Sequence, residues 1–110
     1  MRELSLSELV EYLKGRDKKV FISGAITSRL DSYKLYFDTV ADELTDNGIE
    51  NYNPATIDIN TSWEDSMKQT IIALTYCDIV YVLKGWEDSR GAKEEIYIAK
   101  MLGIDVIYQK

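Results

Sequence analysis

The sequence predicts an α/β protein, a flavodoxin-like three-layer domain on a parallel four-stranded sheet of order 2-1-3-4, with an extra N-terminal helix. Three observations predict it. Helical apolar stripes and short apolar runs alternate strictly along the chain. The clearest run, Asp78-Ile79-Val80-Tyr81-Val82-Leu83, is apolar on both faces, as strands inside parallel sheets are. The helical segments carry start and stop signals at both ends.

Taken in order, Ser5 and Glu8 form a capping box, and Leu6, Leu9, Val10 and Leu13 make one helical stripe that ends at Gly15-Arg16-Asp17. Residues 1–18 therefore read as an N-terminal helical extension, and residues 19–110 as the domain itself. Lys19-Val20-Phe21-Ile22-Ser23 is a buried strand closed by Gly24. A helix is expected from Asp31 to about Asn47, with Leu35, Val40 and Leu44 inward and Asn47-Gly48 as its stop. Ile49 to Asn53 is a short strand ended by Asn53-Pro54. After a loop rich in Asn, Asp and Thr, Ser62 caps a helix that turns Met67, Ile71 and Leu74 inward. The strand at Asp78–Leu83 follows, then a helix from about Ser89 to Leu102 with Gly103 as its stop, and a last strand from Ile104 to Tyr108.

Composition narrows the chemistry. The 110 residues suit one domain, and a net charge of -6 argues against gripping nucleic-acid polymers by their phosphates or anionic membranes by charge. A small anion at a helix N-terminus stays possible, because that field is local. The single cysteine, Cys77, excludes an internal disulfide and fits a cytoplasmic, reducing compartment; the first residues lack a signal-peptide core, and no stretch has the roughly 20 apolar residues of a membrane span. With no histidine and one cysteine, a zinc site or a Ser-His-Asp triad is not expected. Chemistry must run on carboxylates, hydroxyls, amides and backbone dipoles, with no metal or cofactor.

In a sheet of this topology, ligands bind beyond the carboxyl ends of the strands, where the strand order reverses. That points to two loops, one with Ser23, Gly24, Ala25, Ile26, Thr27, Ser28 and Arg29 and the other from Lys84 to Gly91, with the Asn53-Pro54 corner at the border. The first loop is neither a dinucleotide fingerprint nor a P-loop, since Gly24 stands alone, and a plain turn explains it equally. In the second, Ser89 sits at the N-cap and Gly91 in the first turn, where free backbone N–H groups can hold a phosphate or simply be capped. Trp86 leaves the third strand at the ligand end, where it can stack on a base or pack at the rim. Glu95 borders the core stripe Ala92, Ile96 and Ala99, and its side chain leans back toward the strand ends. Nearby helix N–H groups favour its ionised form, which makes it a candidate nucleophile. The alternative is a surface ion pair with Arg90, Lys93 or Lys100, the role expected of Glu94.

Four stretches, "VFISGAI", "NP", "SWEDSM" and "LTYCDIVYVLKGWEDSRGAKEEIYIAKMLGIDVIY", resemble the nucleoside 2-deoxyribosyltransferase-like superfamily. The likeness spans most of Val20 to Tyr108, is nearest to its small bacterial and phage branch, and extends to deoxynucleoside 5′-monophosphate N-hydrolases. It implies a nucleoside deoxyribosyltransferase-like domain that acts on an N-glycosidic bond. The family's nucleophile falls on Glu95, its phosphate-holding Ser on Ser89 and the glycine of its first loop on Gly24, and its members tend to complete their sites in a dimer or larger homo-oligomer. Two positions depart from the family's enzymes: Phe21 replaces a Tyr, and Thr70 replaces the Asp that helps protonate the leaving base. Asp65, Glu87 and Asp88 are the acids available to stand in. The resemblance therefore implies an N-glycosidase or deoxyribosyltransferase. Its alternatives are a non-catalytic protein that sequesters a nucleotide or ADP-ribose-like signal, and a structural subunit with a vestigial pocket.

Overall fold

The computed structural model describes residues 2–26 and 32–110. Thr27, Ser28, Arg29 and the expected helix start at Asp31 lie outside the described residues. In chain order the elements are β1 (Glu3–Leu4), α1 (Leu6–Leu13), β2 (Val20–Ser23), α2 (Tyr33–Asp46), β3 (Asn51–Tyr52), α3 (Trp63–Thr75), β4 (Ile79–Val82), α4 (Arg90–Met101) and β5 (Asp105–Gln109). Single 3₁₀ turns at Pro54–Thr56 and Trp86–Asp88 follow β3 and β4.

All the strand pairs are parallel, and the sheet order is β1-β5-β4-β2-β3. This corrects the expected four-stranded sheet: it has five strands, and the order differs because β1 is added at the outer edge beside β5. Glu3 pairs with Tyr108 and Leu4 with Gln109, and the Tyr81 hydroxyl donates to the Leu4 carbonyl at 2.9 Å. The far edge of β5 is thus occupied, and the segment before α1 belongs to the sheet.

The pleat of the central strands divides the core in two. Val20 and Ile22 of β2 and Ile79 and Tyr81 of β4 pack with Leu9, Val10 and Leu13 of α1 and with Phe37, Val40, Ala41 and Leu44 of α2. Phe21, Val80 and Val82 point the other way, toward Leu74 of α3 and Ile96 and Ala99 of α4. Two layers of helices therefore enclose the sheet. Leu35, expected inward, is exposed, and Phe37 packs in the core instead. Leu35 lies five residues before Val40, which is not a same-face spacing on a helix, whereas Phe37, Val40, Ala41 and Leu44 share one face.

The helix ends follow local chemistry. Ser5, Ser62 and Ser89 each accept a backbone N–H in the first turn of α1, α3 and α4, and at α1 the Glu8 carboxylate accepts the Ser5 N–H in return. Gly48 and Gly103, just past α2 and α4, take the left-handed conformation that stops a helix (φ 73° and 72°).

Candidate functional site

At the carboxyl ends of β2 and β4 the backbone leaves the sheet. Ser23 is the residue after the Val20-Phe21-Ile22 run. The pleat that sends Phe21 toward α3 and α4 sends Ser23 the same way. From α4, Glu95 leans back over the preceding turn toward it. The two meet: the Ser23 hydroxyl donates to Glu95 Oε1 at 2.7 Å, with Ser23 fully buried and Glu95 5% exposed. This contact joins residues that are 72 apart in the chain.

Burial has an electrostatic consequence. Desolvation pushes the Glu95 carboxyl from its ordinary 4.5 up to about 7. The Ser23 hydroxyl, and after it the Thr70 hydroxyl, oppose this by favouring the charged form. The expectation that the helix terminus holds Glu95 ionised is therefore corrected, because removal from water outweighs the hydrogen bonds it receives. Near neutral pH the group sits between its two protonation states, a range suited to proton transfer or to attack by the ionised form.

Above this pair lies a cavity of about 200 Å³. Gly24 and Ile26 line it from the first loop, and Ser89, Arg90, Gly91, Ala92 and Glu95 from the start of α4. Trp63, Ser66, Met67 and Thr70 form the α3 wall, and Tyr33, Pro54, Ile57, Asp58, Ile59 and Thr61 complete the rim.

The expected site residues fall into two groups. Gly24, Ile26, Ser89, Gly91 and Glu95 are brought together on the cavity wall, with Ser23 bound to Glu95 beneath. Ala25, Asn53 and Trp86 are not on that wall. Ala25 is buried. Asn53 is used up by local structure: its Oδ1 accepts the Ala55 N–H at 3.0 Å, and its Nδ2 donates to Asp38 at 2.8 Å. Trp86 packs on Tyr108 of β5, ring centroids 5.4 Å apart, because the 3₁₀ turn after β4 carries it over the second core. Gly24 has a packing reason as well: an added Cβ would stand 3.1 Å from Leu83 Cβ and 3.3 Å from Phe37 Cζ. None of Asp65, Glu87 and Asp88 lines the cavity; among the described residues Asp58 is the other carboxyl that does. Phe21 is fully buried and stacked on Tyr52, whereas Thr70 faces the cavity.

Sequence reasoning missed the α3 wall and the rim. Trp63, Met67 and Thr70 recur at helical spacing, which signals a shared face but not whether it meets a core or a cavity. Tyr33, Ile57, Asp58, Ile59 and Thr61 carry no local signal at all. Sequence position marks Arg90 only as a surface partner for Glu95, whereas its guanidinium carbon lies 4.0 Å from the centroid of the Trp63 ring.

A parallel α/β domain with a buried carboxyl under a cavity at its strand ends is thus the class of protein that the fold and site define. A family model described as Domain of unknown function (DUF4406) matches residues 18–108, and the chain belongs to that family. No curated protein matches it. Among the described residues no helix is long and apolar enough to cross a membrane.

Proposed function

We propose that the protein binds a nucleoside or nucleotide and cleaves its N-glycosidic bond, as an N-glycosidase or deoxyribosyltransferase. The observation that carries this reading is the Ser23–Glu95 pair, a desolvated carboxyl at the floor of a cavity. In its ionised form Glu95 attacks the anomeric carbon. The carbon–nitrogen bond breaks, its electron pair leaves with the base, and the base takes a proton from solvent water. Water, or a second base, then displaces Glu95 from the sugar and restores the carboxylate. Ser23 steadies the carboxyl through its hydrogen bond, and Gly24 and Ile26 border the ligand. Ser89 holds the 5′ end, as the family resemblance implies.

A second reading is favoured by Thr70. A neutral hydroxyl occupies the α3 wall where the resemblance implies an acid for the leaving base. A protein that captures a nucleotide or an ADP-ribose-like ligand without cutting it needs no such acid, and Glu95 then serves as a hydrogen-bond partner for the sugar. Incubating the protein with nucleosides, nucleotides and ADP-ribose, and following free base and intact ligand by chromatography, separates the two. Base release that Glu95→Gln abolishes supports cleavage; tight binding with the ligand recovered whole supports capture; a panel on which nothing binds refutes both.

Self-association with a second copy belongs to the same proposal. Ile72 on α3, Tyr76 just past its end, and Tyr97 and Met101 on α4 are exposed, two pairs spaced i,i+4 on adjoining helices. Glu94 and Lys100 stand three residues either side of Tyr97, and neither joins an ion pair among the described residues. Two copies crossing antiparallel at Tyr97 bring each Glu94 to the other copy's Lys100, the reciprocal pairing of a two-fold interface.

A further inference from the structure

A buried carboxyl that changes charge makes opposite demands in its two states. The ionised form wants donors at both oxygens, whereas the neutral form carries a proton that needs an acceptor. Among the described residues Ser23 is the one group in hydrogen-bond geometry with Glu95, and it donates to Oε1. The other oxygen calls for a partner that can both donate and accept, as a hydroxyl can.

Thr70 has that hydroxyl. It is 5% exposed, stands on the α3 wall of the same cavity, and lies near enough to Glu95 to favour its charged form. Its present hydrogen bond is loosely held. Thr70 Oγ1 donates back along the helix to the Met67 carbonyl at 3.2 Å. Thr75, on the same helix and with the same three-residue spacing, donates to the Ile72 carbonyl at 2.6 Å. An O–H donor ordinarily sits about 2.5–3.0 Å from its acceptor, so the Thr70 bond is the weaker of the two. The nearby Met67 Sδ, at 4.0 Å, is a poor acceptor. Rotation about the Cβ–Oγ bond re-aims the Thr70 proton without moving a heavy atom. The α3 side chains on the cavity wall, Trp63, Ser66, Met67 and Thr70, carry no charge. The titratable or charged groups that face the carboxyl come from elsewhere: Asp58 and Arg90 on the cavity wall, and Tyr52 on β3, whose phenol is pushed up by desolvation and then by Glu95.

We propose that Thr70 is a positioning residue that partners the Glu95 carboxyl in both protonation states. Its oxygen accepts from the neutral acid, and its proton turns from the Met67 carbonyl to the carboxylate when Glu95 ionises. Ser23 and Thr70 then clasp the carboxylate from β2 and from α3. On this view the hydroxyl at position 70 serves the attacking group and not the leaving base. The catalytic part of the proposal rests on the reading that Glu95 attacks a sugar in its ionised form.

The test follows the Glu95 carboxyl by carbon-13 NMR of glutamate-labelled full-length protein between about pH 4 and 9, the signal being assigned by its absence from Glu95→Gln. Thr70→Val keeps the shape and deletes the hydroxyl. It should raise the titration midpoint by about one pH unit, tenfold in the ionisation constant, the scale of a hydrogen bond to a charged group. Thr70→Ser restores the hydroxyl and should titrate close to the wild type. If Thr70→Val does not fold, Thr70→Ala carries the same comparison. A purely structural role would lower stability without moving the midpoint. An unmoved midpoint in the hydroxyl-free variant, or an equal rise in Thr70→Ser, overturns the inference and leaves the cleavage reading standing. A raised midpoint in a protein that releases no base from any nucleoside or nucleotide supports the Thr70 partnership and refutes cleavage.

Discussion

Replacing Glu95 by Gln removes the ability to ionise while keeping size and the oxygen that accepts from Ser23. The folded carboxyl holds its proton up to about pH 7, whereas 4.5 is its ordinary value. Because the folded value is raised, this group's contribution to stability is fully present below 4.5 and is lost as pH climbs to about 7. The gap corresponds to about 3 kcal/mol, and the group is almost wholly buried, so solvent does little to screen it. Gln stays neutral in both states, so the variant escapes the loss. The assay is urea unfolding of both proteins at pH values from about 4.5 to 8, followed by tryptophan fluorescence. The stability of Glu95→Gln relative to wild type should rise by about 3 kcal/mol over that range, whatever fixed offset the amide introduces. A difference that stays flat across the range would refute the desolvated carboxyl and the argument built on it.

Other outcomes follow from the same geometry. Gly24→Ala places a Cβ 3.1 Å from Leu83 Cβ and should cost about 1–3 kcal/mol by overpacking, read as a lower urea midpoint with an unchanged slope. Cys77 is buried, its thiol donates to the Ala73 carbonyl at 3.4 Å, and desolvation pushes its pKa up to about 11. At pH 8 it should therefore react with a thiol reagent far more slowly in the native protein than in urea; equal rates would contradict its placement. Tyr97→Glu on the outer face of α4 should lower the mass seen in sedimentation without unfolding the chain. An unchanged mass would move the self-association surface elsewhere.

Much of the framework was legible because its determinants are local. The Ser5–Glu8 box, the Ser62 and Ser89 caps and the Asp78–Leu83 run each lie within a few residues of what they specify. β1 was not legible, since two residues carry no period. It exists because the Tyr108 N–H reaches the Arg2 carbonyl and the Lys110 N–H reaches the Leu4 carbonyl, more than 100 residues along the chain. The lean of Glu95 toward the strand ends could be read from helix geometry. Its protonation could not, because desolvation arises where β2, α3 and α4 converge. Trp86 and Trp63 make the same point in opposite senses. The Trp at the expected strand end is held by Tyr108, while the one in the α3 stripe faces the cavity. Which tryptophan faces the cavity depends on how a turn is routed, and no spacing rule encodes that.

On the proposed mechanism Glu95, in its ionised form, attacks the sugar of a bound nucleotide. Release of free base from deoxynucleoside 5′-monophosphates as a function of pH tests it most directly. Release should rise with pH through about 7, as Glu95 loses its proton, and be absent from Glu95→Gln. Nucleotide that binds the wild type yet is recovered with its N-glycosidic bond intact at every pH from about 5 to 9 would contradict it.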